Sequence, residues 1–299
     1  MASDASILAL SDGRVLSYAS YGSTAPDSPT IFYFHSFPAS HIEGVLWSPL
    51  VLSLGARLVA ASRPGYGSST FKPDRRILDW PSDVLELADH LQVSQFYILG
   101  VSGGCPYVLA CLKEIPRSRL LGAAVIAGLY PLKLGVSGMT VASRVMLFFA
   151  AWATPLAAPL IDWQLGQAAR DSDPTVLEKV IMKEMNRRPE VDRKCLENLD
   201  LKQQLIDSVR ESVKFGSQGM AWEARLFGSD WGFELEEVQF EGLCLWHGKA
   251  DANCPSSMAE KAVTQIKGAE LKLFEGEAHI SLLINHAEEA LKHLLQVQT

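Results

Sequence analysis

Short apolar runs rich in β-branched and aromatic residues alternate along this chain with stretches whose apolar positions recur at helical spacing. "ILALSDGRVLSYASYG" (Ile7 to Gly22) sets two alternating runs around Asp12-Gly13, which predicts a hairpin. "TIFYFH" (Thr30 to His35) and "ARLVAAS" (Ala56 to Ser62) read as strands buried on both faces. Ile42 to Leu54, between them, has helical character. A further helix opens at Trp80-Pro81, where Val84, Leu85, Ala88 and Leu91 fall on one face. "FYILGV" (Phe96 to Val101) is the next strand, followed by a helix from Gly104 to Lys113 and a strand in "GAAVIAGL" (Gly122 to Leu129). The series resumes late, with a strand in "GLCLWHG" (Gly242 to Gly248) and a helix in "PSSMAEKAVTQI" that has Pro255 at its first turn. A strand in "ELKLFEG" (Glu270 to Gly276) and a helix from Ile280 to Leu295 complete it. Strands alternating with helices predict an α/β fold, a mostly parallel sheet with helices on both faces.

From Tyr130 to Glu237 the pattern changes to helical stretches without a strand, clearest in "TVLEKVIMKEMNRR" and "LENLDLKQQLIDSVRESVKF". The chain therefore divides into a core of residues 1–130 and 238–299 and an inserted helical cap of residues 131–237. Within the cap, Val145 to Ile161 is an uncharged run close to membrane-spanning length. Pro155 and Pro159 interrupt it, and Arg144 and Asp162 close it. It reads as a lid helix over an apolar pocket, with any membrane contact confined to this cap, rather than as a transmembrane helix.

Composition narrows the functional classes. The chain is 48% hydrophobic and 20% charged, which is globular. A net charge of -7 with no Lys/Arg-rich block argues against a nucleic-acid partner. Five scattered cysteines without a C-x-x-C offer neither a disulfide framework nor a zinc site, and no metal or organic cofactor is implied. Reduced thiols, an N-terminus without signal-peptide character and a C-terminus without a retention tail point to the cytoplasm. The pattern does not specify an oligomeric state.

Candidate chemistry gathers at the carboxyl ends of the strands, where open α/β sheets place their sites. Gly100-Val101-Ser102-Gly103-Gly104 fits G-x-S-x-G, and it lies between a predicted strand and a predicted helix. Such a turn projects the serine above the sheet beside a helix N-terminus that favours a developing oxyanion. Serine needs a base to act as a nucleophile. Of seven histidines, His279 follows the last strand in a short loop and is the best placed. Asp251, in "LWHGKADANCP", can fix the tautomer of that histidine. The order Ser102, Asp251, His279 is the one expected on such a sheet. "FHSFPAS" offers the Phe37 N–H as a second oxyanion donor, with the Gly103 N–H as its partner.

With "YFHSFPAS", "SRPGYGSS", "LGVSGGCPYVLAC", "LWHGKAD" and "GEAHISLL" in this order, the chain resembles the α/β-hydrolase superfamily, in its serine-nucleophile branch with a helical cap. The resemblance implies the α/β-hydrolase fold, with Ser102, Asp251 and His279 as triad and Phe37 and Gly103 as oxyanion hole. It departs at His35-Ser36, where the family usually has His-Gly, and at Ser62, where it usually has Asp. Ser36 borders the oxyanion loop and is expected to narrow the site or to donate a hydrogen bond into it. A serine at the elbow argues against the related epoxide and haloalkane hydrolases, which need aspartate there.

The leading expectation is hydrolysis of an ester, lactone or thioester of a small, mostly apolar molecule, with Phe148 and Trp152 of the cap lining its pocket. A carbon–carbon hydrolase or lyase acting on a 1,3-dicarbonyl, and a cyclase that tailors a natural product, fit the same triad. A non-catalytic ligand receptor on this scaffold is the reading outside enzymology.

Overall fold

The apolar runs become the strands of one sheet. In the computed structural model, which describes residues 5–296, these are β1 (Ser6–Ala9), β2 (Val15–Gly22), β3 (Thr30–Phe34), β4 (Arg57–Ala61), β5 (Phe96–Val101), β6 (Leu120–Ile126), β7 (Gln239–Gly248) and β8 (Lys267–Phe274). The extreme ends, on which the reading for targeting signals partly rests, lie outside the described residues. The strand order is β1-β2-β4-β3-β5-β6-β7-β8. β2 is antiparallel to both of its neighbours, whereas β4, β3 and β5 to β8 pair in parallel. Every parallel strand thus delivers its carboxyl end to the same edge of the sheet.

Helices cover both faces. α2 (Trp80–His90), α3 (Cys105–Glu114) and α10 (Ser256–Gln265) pack on one, and α1 (Ser48–Ser53) and α11 (His279–Gln296) on the other. β5 shows the period of two that makes this work: Phe96 and Ile98 enter one core, and Tyr97, Leu99 and Val101 the other. Burying one such side chain fully is worth about 1.5–3 kcal/mol. The predicted helix over Ile42 to Leu54 is split into a 3-10 segment, His41–Trp47, and the short α1. β6 ends before its predicted limit because Ala127 turns to φ +50°.

Between β6 and β7 the described chain is helical, without strands: α4 (Val141–Ile161), α5 (Gln167–Arg170), α6 (Pro174–Met185), α7 (Glu190–Cys195), α8 (Leu199–Ser212) and α9 (Gln218–Gly228). α4 kinks at Ala153, just before Pro155, and continues through a π-helical turn into α5. Together, Val141–Arg170 is long and apolar enough to cross a membrane by length and composition alone. One face of α4, with Leu147, Ala150, Thr154 and Ala157, is buried. Its contact with α9 is close because the meeting residues are small: a Cβ on Gly228 would lie 2.2 Å from the Leu147 carbonyl oxygen. The larger side chains are therefore left on the opposite face. Trp152 is 89% exposed and Phe148 47%, so both point outward instead of lining the pocket expected of them.

Candidate active site

The strand ends bring the candidate residues to one edge. Register pairs Phe34 with Gly100, Val101 with Ile126, and Ile126 with Trp246. The segments that follow β3, β5, β7 and β8 then leave the sheet side by side, carrying Phe37, Ser102, Asp251 and His279.

Ser102 sits directly after β5 with φ +52°, a conformation that costs a non-glycine residue on the order of 1–3 kcal/mol. The surroundings require small neighbours. A Cβ on Gly100 would lie 2.6 Å from Val108 Cγ2, and one on Gly104 only 2.2 Å from the Phe34 carbonyl oxygen. Pro106 then starts α3 within its first turn, where its missing N–H is no loss. Ser102 is 7% exposed, and Phe227 of α9 lies against the neighbouring Gly103, where an added Cβ would sit 3.1 Å from its ring.

Asp251 and His279 meet directly, with His279 Nδ1 2.7 Å from Asp251 Oδ2. A carboxylate only accepts, so Nδ1 carries the proton and Nε2 is the free base. Asp251 is buried, and its Oδ1 accepts from the N–H groups of Asn253 (2.7 Å) and Cys254 (3.0 Å). Burial alone would raise its pKa; the charge and hydrogen bond of His279 outweigh this and hold it below the usual aspartate value. Among the described residues no hydrogen bond joins the Ser102 hydroxyl to His279. The Cys254 thiol lies beside that hydroxyl instead, and burial with the nearby Asp251 charge pushes this thiol well up. Catalytic hydrogen bonds are often open until substrate arrives. His247 stands behind Asp251, with Nε2 3.5 Å from Asp251 Oδ2 and 2.6 Å from the Cys254 carbonyl oxygen. Burial keeps its pKa low, so it serves as a neutral donor.

The Phe37 loop is clamped from two sides. Arg63 Nη1 donates to the His35 carbonyl (2.7 Å) and Nη2 to the Ser36 carbonyl (3.2 Å). The Ser36 N–H donates to Glu43 Oε2 at 2.7 Å, and the Ser36 hydroxyl bonds to Glu43 Oε1. The Ser36 hydroxyl is therefore spent on Glu43 and does not donate into the site, contrary to expectation. Phe37 and Gly103 are in contact: a Cβ on Gly103 would sit 2.7 Å from Phe37 Cβ. The Phe37 N–H has no partner among the described residues.

Three groups important to this arrangement carry no warning in the sequence. Glu223, on α9, lies fully buried and accepts from Arg63 Nε (2.7 Å) and Nη2 (2.8 Å), Arg75 Nη2 (3.1 Å), Tyr66 OH (2.7 Å) and Tyr107 OH (2.6 Å). It ties the cap helix to the arginine that holds the Phe37 loop. Asp192, on α7, accepts from the Ile280 and Ser281 N–H groups at 2.8 and 2.9 Å. It thereby caps the first turn of α11, which begins with His279. Arg188 lies two residues before the first residue of α7, and its guanidinium makes no hydrogen bond among the described residues. In sequence Asp192, Arg188 and Glu223 look like ordinary charges on the solvent side of a helical stretch.

Two further candidates beside the site, His35 and Cys105, are accounted for by position. His35 is buried and donates from Nδ1 to the Ser36 carbonyl. Cys105, beside the elbow, is buried with its pKa pushed well up by burial, so it is a packing residue and not a second nucleophile.

A sequence model of the Alpha/beta hydrolase family matches residues 31–292. A bifunctional esterase/perhydrolase of Acinetobacter calcoaceticus is 30% identical over 122 residues, covering 40% of this chain and 44% of that protein, so the match spans less than half of its length. Among solved structures, a hydrolase from Pseudomonas aeruginosa PA01 aligns with a TM-score of 0.69 at 19% identity, over 99% of this chain and 100% of that one. The enol-lactonase from Burkholderia xenovorans LB400 aligns with a TM-score of 0.68 at 18% identity, over 98% and 99%. An esterase from Exiguobacterium antarcticum gives 0.66 at 18%, over 99% and 98%. At these identities the structural likenesses establish the fold.

Proposed function

Because the chain belongs to the Alpha/beta hydrolase family, we propose that it is a serine hydrolase that cleaves an ester, lactone or thioester of a small, mostly apolar molecule. The observation that carries this reading is the 2.7 Å contact of His279 Nδ1 with the buried Asp251, on the same sheet edge as the strained Ser102 turn. Ser102 Oγ attacks the carbonyl carbon as His279 Nε2 removes its proton. Asp251 keeps the other ring nitrogen protonated and stabilises the imidazolium that forms. The Phe37 and Gly103 N–H groups receive the negative charge on the carbonyl oxygen, a contribution worth roughly 3–4 kcal/mol per donor where it has been measured. Collapse expels the alcohol or thiol, which takes the proton from His279. Water, deprotonated by the same nitrogen, then releases the acid and restores Ser102.

The esterase, perhydrolase and lactonase names among its relatives support the ester and lactone classes. The reading is tested by turnover across a panel of short-chain esters, lactones and thioesters. The expected result is hydrolysis of at least one class, with kcat reduced roughly 10⁴-fold or more by Ser102→Ala. Turnover that survives this substitution, or a folded protein that hydrolyses none of the three classes, overturns it.

A further inference from the structure

Arg188 differs from the other buried or half-buried arginines near the site. Arg63 and Arg75 have their guanidinium ends bonded: Glu223 accepts from both, the His35 and Ser36 carbonyls accept from Arg63, and Tyr107 OH accepts from Arg75, whose Nε alone is left without a partner. Arg188 has only its backbone bonded, the N–H donating to the Met185 carbonyl at 3.0 Å. Its Nε is buried with no partner, and the part-buried side chain leaves the rest of the fork open. An unpaired buried donor on a charged group is costly, and an arginine fork offers five donors to a ligand with two adjacent acceptors.

Its place is fixed from both sides. Four residues later, Asp192 is bonded to the Ile280 and Ser281 N–H groups, directly after His279. The groups that act electrostatically on the Arg188 guanidinium are Asp251 foremost, then Glu184 and Asp192, and the thiol of Cys254. Asp251 is the partner of His279, and Cys254 lies beside the Ser102 hydroxyl. The segment before α7 therefore holds a guanidinium that bonds no acceptor within electrostatic reach of Asp251, the partner of His279. Asp192 does not neutralise it by hydrogen bonding: its Oδ1 is used by the two amides, and its Oδ2 has no partner.

We propose that Arg188 determines specificity by receiving a carboxylate of the substrate, remote from the scissile carbonyl, so that the preferred substrate is an ester bearing one free carboxylate. This rests on the serine-hydrolase reading above. A chain of net charge -7 repels anions in general, so a single cation at the site separates acid-bearing esters from neutral ones more sharply than it would on a basic protein.

The test uses matched probes, the monomethyl and dimethyl esters of succinate, glutarate and adipate. Binding to the Ser102→Ala protein, measured by calorimetry, reads the proposal without requiring turnover. Hydrolysis of the dimethyl esters by the unsubstituted enzyme reads the serine-hydrolase assignment, so the two fail separately. At least one monomethyl ester is expected to bind more tightly than its dimethyl partner. Arg188→Met, added to Ser102→Ala, is expected to weaken the monoester roughly 10- to 100-fold and the diester less than about twofold. Arg188→Lys should recover part of the difference, since it keeps the charge and loses the fork. Because Arg188 bonds no protein acceptor, its replacement should leave the thermal midpoint almost unchanged. Equal weakening of both esters by Arg188→Met, or a neutral probe preferred throughout the series, overturns the proposal.

Discussion

Replacing Glu223 by Gln asks how much the cap carboxylate contributes to the site it roofs. Glu223 Oε2 accepts from Arg63 Nη2 and Tyr66 OH, and Oε1 from Arg63 Nε, Arg75 Nη2 and Tyr107 OH. Gln preserves the shape and one oxygen. It turns the other acceptor into a donor that faces two donors, and it leaves two fully buried guanidinium groups without a counter-charge. Breaking a buried ion pair from one side costs about 3–5 kcal/mol. A second route to the magnitude uses protonation. Burial would raise the Glu223 pKa, but Arg63, then Arg75, bring it down from 4.5 to about 2. That depression corresponds to roughly 3 kcal/mol favouring the folded state. A depressed carboxyl contributes fully above its unfolded value and loses the contribution as pH falls toward its folded value, so the window runs from about pH 5 down to about pH 2. Urea unfolding should show Glu223→Gln to be less stable by about 3–5 kcal/mol at pH 7. The gap should shrink by roughly 2 kcal/mol at pH 3, where the unfolded wild-type chain has taken up the proton that the folded one still resists. Since Arg63 also holds the His35 and Ser36 carbonyls, kcat should fall as the Phe37 loop loosens. A variant within about 1 kcal/mol of wild type at pH 7, or a gap of equal size at both pH values, would refute the reasoning.

Two further outcomes follow from the same geometry. Asp251→Asn can still accept the Asn253 and Cys254 N–H groups through its oxygen, so the loop should stay folded; it cannot hold the His279 tautomer, and kcat should drop by roughly 10³- to 10⁴-fold with circular dichroism unchanged. Gly103→Ala would put a Cβ 2.7 Å from Phe37 Cβ, which pushes apart the two amides proposed as oxyanion donors. Steady-state kinetics should show kcat down by roughly 10²-fold and KM little changed, and an undisturbed kcat would remove this pair of amides from the mechanism.

The strands of the core were readable because each buried strand is a short β-branched or aromatic run bounded by turn residues, as in "TIFYFH" and "FYILGV". The positions of Ser102, Asp251 and His279 were readable for the same reason: each follows a strand, and parallel strands end at one edge. The cap was harder. An apolar helix face looks the same in sequence whether it points in or out, and small residues decided it: Ala150, Thr154 and Ala157 allow close approach to α9 and leave Phe148 and Trp152 outside. Ser36 was misread because its partner, Glu43, lies seven residues on in a 3-10 segment read as part of a helix. Glu223 and Asp192 were invisible because their partners lie far away in sequence, Glu223 being 160 residues from Arg63 and Asp192 88 residues from Ile280, and Arg188 was invisible because it bonds no acceptor at all. No local pattern marks a charge that becomes buried only when the cap docks.

The central claim is that Ser102 is a nucleophile activated by His279. Intact-mass spectrometry after incubation with a fluorophosphonate tests it most directly. The account predicts one covalent adduct on the wild-type chain, mapped to the peptide containing Ser102, and none on Ser102→Ala or, in the same time, on His279→Ala. A wild-type chain that stays unlabelled while folded, or an adduct that persists in Ser102→Ala, would contradict it.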